Sequence, residues 1–186
     1  MDPKKFGPTV ACYDGSEAYC QLPISKAYVV VSHEIPHATG VINHWHIFFN
    51  LEGRENECIY FDLLKKDAQG NLAPQQNAVL CIMHRTYDLT NARHYTFPLV
   101  FADGTTIEDA LIALHDKGAL RYRYHNSGVG YHYWIQRVVG MWQDGELLGS
   151  DRTAILELRD ILHYVYQRVG NQVVRTPSIP VQGTFY

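Results

Sequence analysis

The chain has 186 residues, of which 46% are hydrophobic, and a formal net charge of −3. This length suits one domain with a single core and is short for two. The small negative charge provides no field that would attract nucleic acid or an anionic membrane, so we expect neither as a partner. No apolar run approaches the ~20 residues that a membrane-spanning helix needs.

The compartment is predicted from the first residues and from the cysteines. The opening stretch MDPKKFGPTVACYDG lacks the apolar segment of a signal peptide. The cysteines show no C-x-x-C spacing, and Cys58 and Cys81 lie in apolar runs, where a thiol behaves as a small hydrophobic group. We therefore expect a reduced, cytoplasmic protein.

Strand-like segments fill the first half of the chain. Residues 1–25 are rich in Pro and Gly and are predicted to be an irregular lead-in, followed by a single domain over residues 26–186. Five runs rich in Val, Ile, Phe and Tyr come next, separated by short turn-forming stretches: KAYVVVSHEI, INHWHIFFNLE, ECIYFDLLKKD, NAVLCIMHRTY and ARHYTFPLVF. Consecutive strands with short links favour an antiparallel meander.

Helical patterns fill the second half. A first helix is capped by Thr105 or Thr106 and ends at Gly118, and a second begins near Gly130. A third is predicted from a cap at 150–151 (Ser-Asp) to Gly170, with a tail that packs back on the body. The predicted fold class is α+β, with an antiparallel sheet of about five strands followed by two or three helices packed on one face.

The motif NHWHIFF places two histidines together on one strand. Side chains alternate between the faces of a strand, so His44 and His46 share one face, about 7 Å apart, while Trp45 lies on the core face. Three interpretations remain open. The pair is polar surface on the second face; it supplies two metal ligands, as in cupins, completed by Glu52 or a later histidine; or it supplies an acid or base. The Pro-x-Gly-x-x-His element that completes a cupin site is absent, and no cofactor is predicted.

The glycine-rich run Ser127-Gly128-Val129-Gly130 precedes the second helix. Backbone N–H groups at the positive end of a helix hold anions or developing negative charge. The preceding RYRYH, residues 121–125, suits a half-buried segment as well as a nucleic-acid surface, and the overall negative charge favours the former. A site between this helix entrance and the histidine strand is therefore predicted.

Three motifs carry a resemblance to a known family. NHWHIFF, SGVGYHYWIQRV and the terminal VQGTFY together resemble an uncharacterised fungal domain family with the pattern N-H-W-x-I-Y, S-G-C-R-F-W-V and Q-G-T-F. The correspondence holds at Asn43, His44, Trp45, Gly130 and Trp134. By analogy to permuted papain-like proteins, the resemblance implies a strand histidine facing a cysteine that opens a later helix.

The position of that cysteine is occupied by Tyr131. A thiol hydrolase is therefore excluded if the analogy holds, and Tyr131 is predicted to act beside His44 as a proton donor or as a hydrogen-bond anchor. Asp62 is the best candidate to orient the histidine, because a carboxylate inside an apolar run is unusual. One residue of loop length around residues 53–56 decides which face Asp62 occupies.

Three functions follow from this candidate site. The first is a metal-independent acid–base enzyme for a small molecule, of isomerase, cyclase or dehydratase type, with secondary metabolism as a suitable setting. The second is a domain that binds a ligand or protein without catalysis, and the third is an H-x-H metal-binding protein. A homodimer face formed by the aromatic residues 142, 164 and 166 is an alternative to burying them, although their helical spacing favours the core. The predicted catalytic residues are His44, Tyr131, His46 and Asp62, and the predicted substrate contacts are Asn43, Gly128, Gly130, His132, Tyr133, Trp134 and Arg123.

Overall fold

A six-stranded sheet forms the framework of the protein. The computed structural model describes residues 2–37, 40–65, 77–86, 94–149 and 153–186. The strands of this sheet are β1 (Val10–Tyr13), β2 (Ile24–His37), β3 (Gly40–Leu51), β4 (Arg54–Leu64), β5 (Val79–Arg85) and β6 (Tyr95–Leu99). Their spatial order is β1-β5-β4-β3-β2-β6.

The central meander β2-β3-β4-β5 is antiparallel throughout, as predicted. The two edges differ from the prediction. β6 returns to pair with β2 instead of following β5. β1, which lies in the segment 1–25 that the sequence predicts to be irregular, pairs in parallel with β5. Strands that follow each other in sequence are often but not always neighbours, and the sequence separation of Arg85 from Tyr95 leaves β6 free to pair elsewhere.

Three helices follow the sheet, confirming the α+β class. They are α1 (Ile107–Asp116), α2 (Tyr131–Asp144) and α3 (Thr153–Ile161). Thr106, one of the two predicted caps, caps α1, and the structure adds a capping box with Asp109. Gly130 lies at the N-cap of α2. The predicted cap of α3 at residues 150–151 lies outside the described residues.

The third helix ends nine residues earlier than predicted. In place of a helix to Gly170, a hairpin follows, with β8 (Tyr164–Val169) paired to β9 (Gln172–Pro177). Val169 pairs with Gln172 across the two-residue turn Gly170-Asn171, and Gly170 has a φ of +61°. A Gly-Asn turn between β-branched runs is a hairpin signal, and it outweighs the apolar periodicity.

The three helices cover one face of the sheet, as predicted. Alternate strand residues such as Trp45 and Phe61 pack with Trp142 of α2 in one core cluster. Trp142 and Tyr166 are buried, whereas Tyr164 is half-buried with the Arg175 guanidinium over its ring. All three rings thus belong to the core cluster or pack against it. Tyr164 and Tyr166 lie on β8 and not on the helix that the sequence predicts there.

The C-terminal tail packs back on the body, as predicted, through one buried tyrosine. β10 (Thr184–Phe185) pairs with β7 (Tyr122–Arg123). The Tyr122 hydroxyl donates to the Gly130 carbonyl at 2.7 Å and accepts from the Gly183 N–H at 3.0 Å. A Cβ at Gly183 would lie 2.2 Å from the Tyr122 hydroxyl oxygen, so only glycine fits.

All four thiols are free in the structure. Burial raises the pKa of Cys20 to about 12 and that of Cys58 to about 11. Neither is therefore a ready source of thiolate. Among the described helices, none combines the length and the apolar character needed to cross a membrane.

Gly183→Ala should destabilise the protein by about 1–3 kcal/mol, because the added methyl group displaces Tyr122 from both hydrogen bonds. Chemical denaturation monitored by tryptophan fluorescence measures this loss. Gly140→Ala is the matched control: its Cβ meets nothing within 4 Å in the interior of α2, so it should stabilise by about 0.5–1 kcal/mol. Equal stability of the Gly183 variant and wild type would contradict the tail arrangement.

Candidate functional site

The candidate site lies where two neighbouring strands separate. The pairing of β3 with β4 runs from Leu51–Arg54 to Ile47–Phe61. Beyond that pair, β3 stays paired with β2 and β4 stays paired with β5. The two central strands therefore diverge from His46 and Asp62 onward, and His44 lies two residues further along β3.

Two tyrosines satisfy the backbone that this divergence leaves open. The Leu63 N–H donates to the Tyr131 hydroxyl, and the Leu63 carbonyl accepts from the Tyr124 hydroxyl. Buried backbone N–H and C=O groups need hydrogen-bond partners. The two hydroxyls take the place of the backbone groups that β3 would provide if it still paired with β4 here. Burial raises the pKa of both phenols well above the ordinary value. Both therefore stay neutral and act as hydrogen-bonding groups.

Asp62 is the centre of the arrangement. Its Oδ1 lies 3.0 Å from His44 Nε2 and also accepts from the Tyr131 hydroxyl. Burial by itself would raise the pKa of Asp62, but the hydrogen bond from His44, the charges of His44 and His46, and the Tyr131 hydrogen bond outweigh it and lower the pKa below its ordinary value. Asp62 is thus a buried carboxylate that holds its charge beside an imidazole.

His46 lies beside the His44–Asp62 pair. The two imidazole rings have centroids 4.4 Å apart, closer than strand spacing alone predicts. His46 Nδ1 lies 3.8 Å from Asp62 Oδ1, and His46 Nε2 lies 3.1 Å from Ser32 Oγ. A register shift in β2 between Val31 and Glu34 brings Ser32 to this position.

These three side chains also form a ligand set of the kind that binds transition metals. One donor atom from each of His44, His46 and Asp62 lies within 4.8 Å of the other two. Among the described residues, this is the cluster that meets the geometric requirement for a metal ion. Ser32 contacts His46 and Tyr131 donates to Asp62, and outer hydrogen bonds of this kind are what orients the ligands in metal sites generally.

A cavity of about 530 Å³ opens beside His44 and Tyr131. This volume is within the range of small-molecule sites. Its walls are mostly apolar and come from β2, β3, the end of β4, the 124–132 segment and the tail. The glycine run and the start of α2 line it, so the predicted juxtaposition of the histidine strand and the helix entrance is present.

Comparison with known protein families identifies the family of this chain. Residues 27–186 match the family described as Domain of unknown function (DUF7770). The chain belongs to this family. The expectation of an uncharacterised domain family is thereby confirmed. Neither the curated proteins nor the solved structures contain a match to the DUF7770 chain.

The predicted site residues fall into two groups in this DUF7770 domain. The first lies at the site: His44, Tyr131, His46, Asp62, Asn43, Gly128, Gly130 and His132. The second lies elsewhere: Tyr133, Trp134 and Arg123. Trp134 is fully buried and donates its indole N–H to the Ala119 carbonyl, Tyr133 contacts Phe185, and Arg123 bonds to Asn77.

Two residues at the cavity have structural roles that the motif did not reveal. The Asn43 side chain donates to the Tyr166 carbonyl at 2.7 Å and accepts from the Tyr166 N–H at 2.6 Å, which joins β8 to β3. His132 packs edge-on against Trp45, and burial lowers its pKa to about 4. His132 is consequently a neutral imidazole near pH 7.

Sequence reasoning missed Ser32, Tyr124 and Lys65. Ser32 reaches the site through a strand irregularity that no sequence pattern announces. Tyr124 sits in the RYRYH run, where a strand-like alternation would have placed it on the same buried face as Tyr122; both are buried. Lys65 directly follows Leu64, the last residue of β4, and lines the cavity beside it. Its position after an apolar strand was the available sequence signal.

Proposed function

We propose that this DUF7770 domain is a metal-independent acid–base enzyme that acts on a small molecule, with His44 as the proton-transfer residue. The observation that carries the proposal is the 3.0 Å contact between His44 Nε2 and the buried Asp62 carboxylate at the wall of a cavity of ligand size. A carboxylate partner fixes the tautomer of a catalytic imidazole and stabilises its protonated form.

The roles of the neighbouring residues follow from their hydrogen bonds. With the Nε2 proton held by Asp62, the other ring nitrogen of His44 is the basic atom that removes a proton from the substrate. Tyr131 donates to Asp62 and is a positioning residue, because a phenol engaged in this way and raised in pKa is a poor proton donor. First-turn N–H groups of α2 would stabilise an enolate or similar anion.

The arrangement supports the analogy with permuted papain-like proteins while changing its chemistry. A strand histidine, a carboxylate on the neighbouring strand and the first residue of a helix meet at one place, but that residue is Tyr131. A thiol at this position would form a covalent intermediate with the substrate, and Tyr131 supplies none. The reaction we propose therefore proceeds by proton transfer alone. Isomerisation, cyclisation or dehydration of a metabolite is the reaction class we propose, with fungal secondary metabolism and the cytoplasm as its setting.

A metal-binding function is the second candidate, favoured by the His44–His46–Asp62 triangle. Ligand atoms at about 2.1 Å from one ion lie roughly 3.0–3.4 Å from each other. The observed separations of 3.0 Å and 3.8 Å to Asp62 Oδ1 are close to that range. If Ser32 accepts the Nε2 proton of His46, Nδ1 presents its lone pair towards the carboxylate, and a cation between the two atoms would be stabilised.

The acid–base proposal is tested with 5-nitrobenzisoxazole, a flat apolar compound that opens to a cyanophenolate once a base removes its carbon-bound proton. We expect catalysis by the wild-type protein, a loss of about 100-fold or more in His44→Ala, and a smaller loss in Asp62→Asn. His115→Ala, a change at an exposed histidine on α1, is the matched control and should keep the wild-type rate.

Two results would count against this proposal. A rate for His44→Ala equal to wild type would remove His44 from proton transfer. A wild-type rate no higher than that of free imidazole at equal concentration would favour the non-catalytic binding domain instead. Activity that persists after treatment with a chelator separates the acid–base reaction from a metal-dependent one.

The metal candidate predicts stoichiometric binding of Zn²⁺ or Co²⁺ to the chelator-treated protein, measured by titration calorimetry and elemental analysis. His46→Ala should weaken binding by about 10-fold or more, because one of three protein ligands is lost. His163→Ala, at an exposed histidine, should bind as wild type does. Absence of stoichiometric binding to wild type would eliminate this candidate.

A further inference from the structure

The charge of the cavity wall is unbalanced. Among its lining residues in the described part of the chain, Lys65 is the one with a full charge, and none is a carboxylate. Asp62 stands behind His44 and Tyr131, both of which it already binds. Within the described residues, a ligand in this cavity therefore meets a cation with no carboxylate among the lining side chains.

Lys65 is held over an aromatic ring and not by an acid. Its Nζ lies 5.0 Å from the centre of the Tyr124 ring, and no carboxylate of the described residues forms an ion pair with it. The side chain is half-buried, and burial lowers the pKa of Lys65. An ammonium in such surroundings gains stability when an anion arrives.

The remainder of the cavity is suited to an apolar body. Aliphatic side chains from five different segments line it, including Ile35, Ile42, Leu64, Val129 and Val181. Burying hydrocarbon against these residues favours binding by about 25 cal/mol per Å² of apolar surface. A fully polar metabolite would gain little from such walls.

We propose that the cavity binds an amphipathic monoanion, a compound with an apolar body and one carboxylate head, and that Lys65 holds the head. This inference rests on the proposed function for the reaction that follows, but the binding itself does not require His44 to be catalytic. A carboxylate at this place would lie in the same cavity as the His44 imidazole.

The test compares decanoate with decan-1-ol, which has the same chain and no charge, at concentrations below micelle formation. Calorimetry on wild type should show decanoate binding at least about 10-fold more tightly, which corresponds to roughly 1.4 kcal/mol. Lys65→Met should abolish this preference and leave the affinity for decan-1-ol unchanged. Lys65→Arg should keep much of the preference, and Lys117→Met, a change at an exposed lysine, should keep all of it.

His44→Ala separates this inference from the proposed function. Retained preference for decanoate in that variant, together with a lost reaction of 5-nitrobenzisoxazole, supports both. Retained preference with an unchanged reaction overturns the catalytic role alone. Equal affinity of wild type for the two compounds, no binding of either, or a preference that survives in Lys65→Met overturns the carboxylate site.

Discussion

The site depends on one structural constraint, the divergence of the two central strands. Beyond Ile47 and Phe61, β3 and β4 no longer pair with each other. The backbone of Leu63 would be unsatisfied there without the hydroxyls of Tyr124 and Tyr131. The same tyrosine hydroxyl that completes the sheet also bonds to Asp62. The Tyr131 hydroxyl therefore links the hydrogen bonding of the sheet to the position of the Asp62 carboxylate.

Much of this arrangement could be predicted from periodicity. The five strands β2 to β6, the threonine cap of α1 and the start of α2 are local features, each encoded within about a dozen residues. The face occupied by Asp62 could not be predicted, because it depends on the number of residues in the β3–β4 turn, and one residue more or less moves Asp62 to the other face. The structure resolves it: Phe48 pairs with Tyr60, so Asp62 falls on the face of His46.

The failures have physical causes as well. The run from Tyr164 to Val169 matches both a helical stripe and a strand alternation, and the Gly-Asn turn with pairing to β9 selects the strand. β1 is short, and in the described part of the chain its partner is β5, which is distant in sequence, so no neighbouring pattern indicates a strand there. The motif predicts that Trp134 contacts the ligand, whereas in the structure α2 directs this side chain into the core. A motif residue can serve the fold alone.

A buried, ionised Asp62 should fix His44 with its proton on Nε2. Long-range ¹H–¹⁵N correlation spectra of the imidazole measure this directly, because protonated and unprotonated ring nitrogens have well-separated chemical shifts. We expect neutral His44 to be the Nε2–H tautomer in wild type, and we expect Asp62→Asn to disturb this tautomer. A neutral His44 with its proton on Nδ1, or a spectrum unchanged by Asp62→Asn, would contradict it.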